Sequence, residues 1–460
     1  MTASAERRLG DSIIRHLYRD PDYIDDPVLV EYVQTLWQAL LAAARERGEL
    51  SPELDERFAW EILLGRDRTV NAFALPGGYL GVHLGLIGVV ASRDELASVL
   101  AHELSHVTQR HIARLIAQQN RQAPLMVGAM ILGALAASKS PDAAQALAMG
   151  GQALAVQNQL NFSRDMEREA DRIGYGLMAP AGFAPQGFSA MFEKLQQANR
   201  INDNGSWPYL RSHPLTTQRL ADVQARQIQP APAPLPTLEH ALLAARARVL
   251  ARPGVEPLRQ WMAEPDGGGF AALPAPRRAA VLYAAVLAAS ELRDAAAARS
   301  LYPRLLQAVQ GDSAALRQAR LLGAEVELSA GDAASALRLV PPGDQRPEQM
   351  LRAQAGLRSG DTGGLAGPLQ TWVALHPRDA GMWQLLSSVW LAQGQPLRAV
   401  RAEAEAHAAR YDYAAAVDRF KAGQDLARTS RAAADHVEAS IIDTRLRAVE
   451  LLLREQAAER

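Results

Sequence analysis

The spacing of apolar positions changes several times along the chain, and each change predicts a different kind of element. Residues 4 to 50 read as two helices separated near Asp20 to Pro27. Asp26-Pro27 opens the second, whose Val30, Tyr32, Val33, Leu36, Leu40 and Leu41 form one apolar stripe. From 57 to 90 the spacing tightens into short apolar runs punctuated by glycine, FAWEILLG and then TVNAFALPGGYLGVHLGLI. Those runs predict a small sheet. Tyr79 to Leu84 is the stretch expected to present a strand edge on which an extended peptide could align, the alternative being a buried hairpin; His83 within it reads as a packed strand residue. Helical spacing returns from Ser92 to Ile112, where Leu96, Val99, Leu100 and Val107 face one way and Ser92 with Glu95 forms a capping-box pattern.

Beyond this helix, Pro124 to Ala137 is an apolar run of 14 residues, short of the about 20 that span a bilayer. The wider segment 124 to 156 is expected to act as a lid or plug over a cleft, with core helix and membrane-surface contact as alternatives. Two more helices follow, around residues 163 to 174 and in GFSAMFEKLQQA. His213-Pro214 then breaks the chain before a helix capped at Thr216 or Thr217.

Prolines at 230, 232, 234 and 236 make a stiff spacer. It divides the expected architecture into residues 1 to 229, a linker at 230 to 236, and alanine-rich paired helices from 237 to 460. Gly360 and Gly394 lie 34 residues apart, the tetratricopeptide period. Trp383, Leu386, Ser387, Trp390, Gly394 and Ala399 follow that repeat's template, and roughly three to five degenerate units are expected. Such an array offers a concave surface to peptides or partner proteins.

Composition narrows the chemistry. The 460 residues carry a formal net charge of −1, so no global field favours nucleic acid or anionic membrane. There is no cysteine, which removes disulfides, thiolate metal sites and thiol nucleophiles together and suits an oxidising compartment. The opening residues MTASAERRLGDSIIRHLY contain no apolar signal-peptide core. The expectation is therefore either a cytoplasmic protein or a mature exported form.

The Ser92–Ile112 helix carries the candidate chemistry. His102, Glu103 and His106 form an H-E-x-x-H pattern. Two imidazoles at i and i+4 point the same way and can reach one ion. Glu103, rotated about 100° from His102, sits beside that ion as a base. Zinc in such a site acidifies a water, and the carboxylate takes its proton. A third protein ligand is needed. His111, five residues after His106, falls about 140° further round a continuous helix and should point away; VTQRH also lacks the metzincin glycine and spacing. The better candidates are Glu167 and Asp171 at i and i+4 on the next helix, one binding zinc while the other orients a ligand histidine. His213 is a loop histidine that can either swing toward the metal or simply cap and pack. Arg219 is a weaker candidate for stabilising an oxyanion.

HELSHVTQRH, SRDMEREADRIG and RSHPLTTQRL, in that order, resemble the HtpX/CAAX-prenyl-protease type of gluzincin. More narrowly they resemble its periplasmic beta-barrel assembly-enhancing protease type, which joins that peptidase to a helical repeat domain. The resemblance implies a mainly α protein: a zincin-like metallopeptidase domain with a small β-sheet, then tetratricopeptide-like repeats. It implies His102, His106 and Glu167 as ligands of one zinc ion, Glu103 as the base and Asp171 as support behind a ligand. In the resembled proteins the histidine of the SHP motif, here His213, can fill the open coordination position and hold the enzyme inactive. Export to the periplasm, unfolded or misassembled proteins as substrates, and outer-membrane assembly machinery as partner of the repeats are implied likewise. A chaperone or adaptor with a latent zinc site is the rival reading.

Overall fold

The computed structural model describes residues 1–118, 163–200, 206–226, 236–429 and 433–458. The lid expected at 124–156 and nearly all of the proline segment lie outside them. The described chain divides into two compact units, Met1–Gln318 and Ala319–Arg460. It is mainly helical, with one four-stranded sheet.

The first unit opens with helix Ala3–Leu17, then helix Pro27–Glu46, whose start is fixed by Asp26 accepting from the Leu29 amide at 2.9 Å. Of the stripe expected on that second helix, Tyr32, Val33, Leu36, Leu40 and Leu41 are buried, while Val30 is half-buried. The sheet is built from β1 (Tyr23–Ile24), β2 (Glu61–Gly65), β3 (Ala72–Leu75) and β4 (Tyr79–His83) in the order β1-β2-β4-β3. β3 and β4 form an antiparallel hairpin, while β4 runs parallel to β2. That pairing overturns the expected strand edge. Every residue of β4 is buried and both of its sides are bonded, so Tyr79 to Leu84 cannot accept another strand; the edge beside it is β3. Phe73 of β3 lies over Gly81, where a Cβ would come to 2.2 Å from the ring. His83 is buried, with Nδ1 2.8 Å from Thr69 Oγ1, a packed strand residue as read.

The helix start holds, with the return bond of the box one residue upstream of the cap. Ser92 Oγ accepts from the Glu95 amide at 3.2 Å, and Glu95 Oε2 accepts in return from the Ala91 amide at 2.8 Å. The helix it starts, Arg93–Thr108, is buried along nearly its whole length and packs on helix Arg164–Met178. Gly174 permits the close crossing: a Cβ there would approach the Ala101 carbonyl and the His102 amide to 3.0 Å. The Arg93 helix does not continue to Ile112 as its spacing predicts. It stops at Thr108, Arg110 takes a left-handed conformation (φ 52°), and a new helix runs from His111 to Gln118. Arg110 is held in that strained turn by Glu6, 2.9 Å from its Nε, and by the Met1 carbonyl at 2.8 Å.

The compact division falls at 318/319 and not at the prolines, for a physical reason. Helix Leu238–Leu250 is tied into the first unit by buried polar contacts. Arg246 grips both oxygens of Asp26 at 2.9 and 2.6 Å. His240 bonds Tyr32 Oη at 2.7 Å and the Val90 carbonyl at 3.0 Å.

The second unit is helical throughout its described residues. Gly331, Gly360 and Gly394, at φ 86°, 78° and 69°, follow helix ends, the position where a left-handed residue satisfies the last carbonyls at least cost. Trp383, Leu386 and Trp390 join Leu369, Val373 and Ala402 in one apolar cluster, and Ser387 donates to the Ala399 carbonyl at 2.8 Å.

Candidate metal centre

Four side chains from three elements converge. His102 and His106 come from the Arg93–Thr108 helix, Glu167 from the first turn of the Arg164–Met178 helix, and His213 from the end of the short Tyr209–Ser212 turn. One candidate ligand atom from each lies within 4.8 Å of all the others, and all four residues are buried. The two Nε2 atoms of His102 and His106 are 3.0 Å apart. Glu167 Oε1 is 3.4 Å from His106 Nε2 and 3.0 Å from His213 Nδ1. Glu103 is fully buried, with Oε2 accepting from the Ala74 amide of β3 at 2.9 Å; Oε1 lies 3.4 Å from His213 Nε2 and has no hydrogen-bond partner.

Asp171, one turn beyond Glu167, stands behind the cluster. Its Oδ1 is 2.9 Å from His102 Nδ1, so the carboxylate accepts the Nδ1 proton and Nε2 of His102 faces the centre. Asp171 is itself clamped by Arg219 through Nε at 2.7 Å and Nη2 at 2.8 Å. Arg219 Nη1 donates to the Pro214 carbonyl at 2.9 Å and lies 2.8 Å from Glu167 Oε2. Its guanidinium is thus committed to two carboxylates and a backbone oxygen, and it does not take the oxyanion role suggested by sequence.

The electrostatics follow the packing. Burial works against charge on His102, yet Asp171 and Glu167 outweigh it and hold its pKa up at about 9. Burial and the neighbouring His102 push His106 the other way, well below the ordinary imidazole value. Glu167 is held well below the usual carboxylate range, against its own burial, by His213 and His102. Asp171 is lowered by Arg219, again against burial.

This donor set fits a divalent cation. With the Nδ1 of His102 donating to Asp171, its Nε2 faces the Nε2 of His106 across 3.0 Å. Two ring nitrogens that close in a dry interior need a positive charge between them, either a proton, in keeping with the raised pKa of His102, or a metal ion in its place. Two imidazoles and a carboxylate on adjacent helices, with a further buried carboxylate oxygen unbonded beside them, have the composition of a His₂Glu metal site.

His111 is placed differently from the reading of its sequence position. It is not one of the four converging residues, but it does not point away: it is fully buried, with Nδ1 2.9 Å from His106 Nδ1 and Nε2 3.0 Å from Glu169 Oε2. A continuous helix would have carried it off, and the break at Arg110 brings it back. Tyr209, whose ring stacks on His213 at 4.6 Å, was also missed, since nothing in WPYLRSHP distinguishes it from an ordinary apolar anchor.

Fold and site together define a metallopeptidase of the H-E-x-x-H class with a glutamate on the following helix. Comparison with known proteins agrees. The profile of peptidase family M48 matches residues 35–227. The beta-barrel assembly-enhancing protease of Escherichia coli is 31% identical over 422 residues, 90% of this chain and 83% of that one. A Vibrio cholerae protein provisionally given the same name is 38% identical over 253 residues, and that match spans 55% of this chain and 50% of the relative. Mitochondrial metalloendopeptidase OMA1 of Arabidopsis thaliana is 34% identical over 164 residues, 36% of this chain and 31% of that one. The chain belongs to peptidase family M48, among its beta-barrel assembly-enhancing proteases.

Proposed function

We propose that the chain is a zinc-dependent endopeptidase that hydrolyses unfolded or misassembled proteins in the periplasm, in the quality control and assembly of outer-membrane β-barrels. The observation that carries this reading is the convergence of His102, His106 and Glu167 with the unbonded Glu103 Oε1 beside them. Zinc bound there supplies Lewis acidity and an acidified water. The chain's own residues do the rest. Glu103, pinned at Oε2 by the Ala74 amide, keeps Oε1 to accept the proton of the attacking water and to pass it to the leaving amine. Asp171 fixes the His102 tautomer, and Arg219 fixes Asp171. Because Ala74 belongs to β3, that edge is the natural place for a substrate backbone to add as a strand.

Functionally the chain divides into a peptidase portion, residues 1 to 229, and a tetratricopeptide-like portion from 237, whose first helices are built into the compact unit of the peptidase. The repeat portion is the surface proposed for the outer-membrane assembly machinery, a partner suggested by the names of the relatives. Peripheral membrane contact remains part of the proposal through segment 124–156; no helix among the described residues is long and apolar enough to cross a membrane.

A second reading has one observation in its favour. All four converging residues are buried, and His213 stands between Glu103 and the ligands. A latent centre in a protein that works as chaperone or adaptor through its repeats fits that burial. Metal analysis with proteolysis of an unfolded substrate, wild type against Glu103→Gln, separates the two. Stoichiometric zinc and cleavage lost in the variant support the peptidase; zinc without cleavage in either protein supports the adaptor.

A further inference from the structure

A histidine that gives one nitrogen to a metal needs its other nitrogen held, because the partner there fixes the tautomer and the ring plane. The two candidate ligand histidines have unlike partners. His102 meets the Asp171 carboxylate directly at 2.9 Å. His106 meets another imidazole, with its Nδ1 2.9 Å from Nδ1 of His111.

One assignment orders the whole row. A neutral imidazole has one N–H and one lone pair. If His106 offers Nε2 to the metal, its proton sits on Nδ1 and points at His111. His111 must then accept on Nδ1 and carry its own proton on Nε2, where Glu169 Oε2 waits 3.0 Å away. Glu169 in turn receives Nη1 of Arg114 at 2.7 Å. The row His106–His111–Glu169–Arg114 is therefore a directed chain of donors and acceptors.

The backbone is bent to make this contact. His111 returns to His106 only because Arg110 adopts its left-handed turn, secured by the buried Glu6. A sparsely populated backbone conformation persists where its surroundings impose it. Here what the bend brings into place is an imidazole against a ligand. We infer that His111, backed by Glu169, is a positioning residue that sets the tautomer and orientation of His106 at the metal centre. This rests on the metal-centre reading above. The centre is then held asymmetrically, with a carboxylate behind His102 and a neutral ring behind His106, the charge lying one ring further out.

The test uses the full chain and zinc alone as the probe, with affinity read by competition against a chromophoric chelator. Imidazole proton–nitrogen spectra of the zinc-loaded protein report the tautomer of His106. His111→Ala is expected to weaken zinc binding by about 10- to 100-fold and to remove the protected His106 Nδ1–H signal. His111→Asn, which keeps an acceptor near the position of Nδ1, should recover most of that affinity. Since a buried substitution can unfold the region, Glu169→Gln on a partly exposed helix face serves as the second variant, with a smaller loss expected and a shift of the His111 Nε2–H signal. Wild-type affinity with an unchanged His106 signal in His111→Ala overturns the inference, as does Glu169→Gln with neither affinity nor signal moved. His106→Ala binding zinc like wild type overturns the metal-centre reading itself, so the two failures are told apart.

Discussion

The units Met1–Gln318 and Ala319–Arg460 bury charge in opposite ways. In the second, the buried ion pairs close locally. Arg346 holds Asp379 at 2.7 Å, Arg445 holds Glu405 at 2.6 Å, and Arg401 pairs with Glu438. Around these pairs the packing is apolar, with Phe420, Ile442 and Val449 at the centre of one cluster. At the centre of the first unit, three histidines and a glutamate are crowded together, and further groups (Asp171, Arg219, His111) orient them. Pairwise cancellation is what a scaffold needs. Converging imidazole and carboxylate donors are what a cation site needs, and a dry interior tolerates them where a positive charge, a proton or a metal ion, completes them.

The largest effect should come from removing the buried carboxylate at the centre that neither ligates nor braces. Glu103→Gln is expected to lower peptide hydrolysis by about 10²- to 10⁴-fold, the range of a lost general base, with zinc content and melting temperature unchanged. A parallel fall in bound metal means Glu103 is a ligand. Glu167→Gln should do the reverse, weakening zinc binding beyond the roughly 10- to 100-fold seen when only an outer partner is lost. Unaltered zinc affinity in that variant removes Glu167 from the ligand set.

Truncation sharpens the contrast at the level of folding. A chain ending at 318 should keep its zinc and a cooperative unfolding transition. A chain ending at 229 loses Arg246 and His240, leaving Asp26 and Tyr32 without their buried partners. Stranding a buried ion-pair partner costs about 3–5 kcal/mol, so the shorter chain should melt well below the longer one. Equal stabilities would put the working boundary back at the prolines.

In the second unit the corresponding change is Asp379→Ala, which removes the buried carboxylate held by Arg346 and the cap on the Met382 amide. It should destabilise that unit by roughly 3 kcal/mol and leave zinc affinity alone. The sign of its pH dependence is fixed. Arg346 and Trp372 hold the Asp379 carboxyl below its ordinary value, against the burial that would raise it. Its contribution is therefore complete above the unfolded value near pH 4 and is lost as pH falls through the lower folded value. A wild-type stability advantage over Asp379→Ala that does not shrink as the pH falls below about 4 would contradict the assignment.

What could be read beforehand follows the same divide. His102, Glu103 and His106 were legible because i and i+4 on a helix is a local relation, and Glu167 with Asp171 repeats it. The strand edge was not, because the hairpin pattern of β3 and β4 says nothing about β2 docking parallel on the far side of β4. His111 was misplaced because apolar spacing ran straight through Arg110, whose left-handed turn depends on Glu6, 104 residues away in sequence. The prolines suggest a boundary, but Arg246, reaching back 220 residues to Asp26, ties the helix that follows them to the first unit. Local periodicity carried the chemistry, and long-range polar pairing carried the corrections.

The smallest expected effect is the most informative about control. His213 has its Nδ1 3.3 Å from His102 Nε2 and 3.0 Å from Glu167 Oε1, and its Nε2 3.4 Å from Glu103 Oε1. It thus occupies the corner between the base and the ligands, where water and a substrate carbonyl must come. Its backbone amide donates to the Tyr209 carbonyl at 2.9 Å and its ring stacks on Tyr209, so vacating the corner means parting from that neighbour. If His213 is a brake, His213→Ala should raise cleavage of an unfolded substrate, or of the protein itself, by the several-fold that releasing an equilibrium biased by about 1 kcal/mol provides. Tyr209→Ala, which loosens the same ring without touching the ligands, should raise it less. If His213 instead steadies developing charge during the reaction, its loss should cut kcat by about 100-fold or more. The two readings differ in sign, and a fall in His213→Ala retires the brake, leaving the burial of the centre to be relieved by some other movement of the first unit.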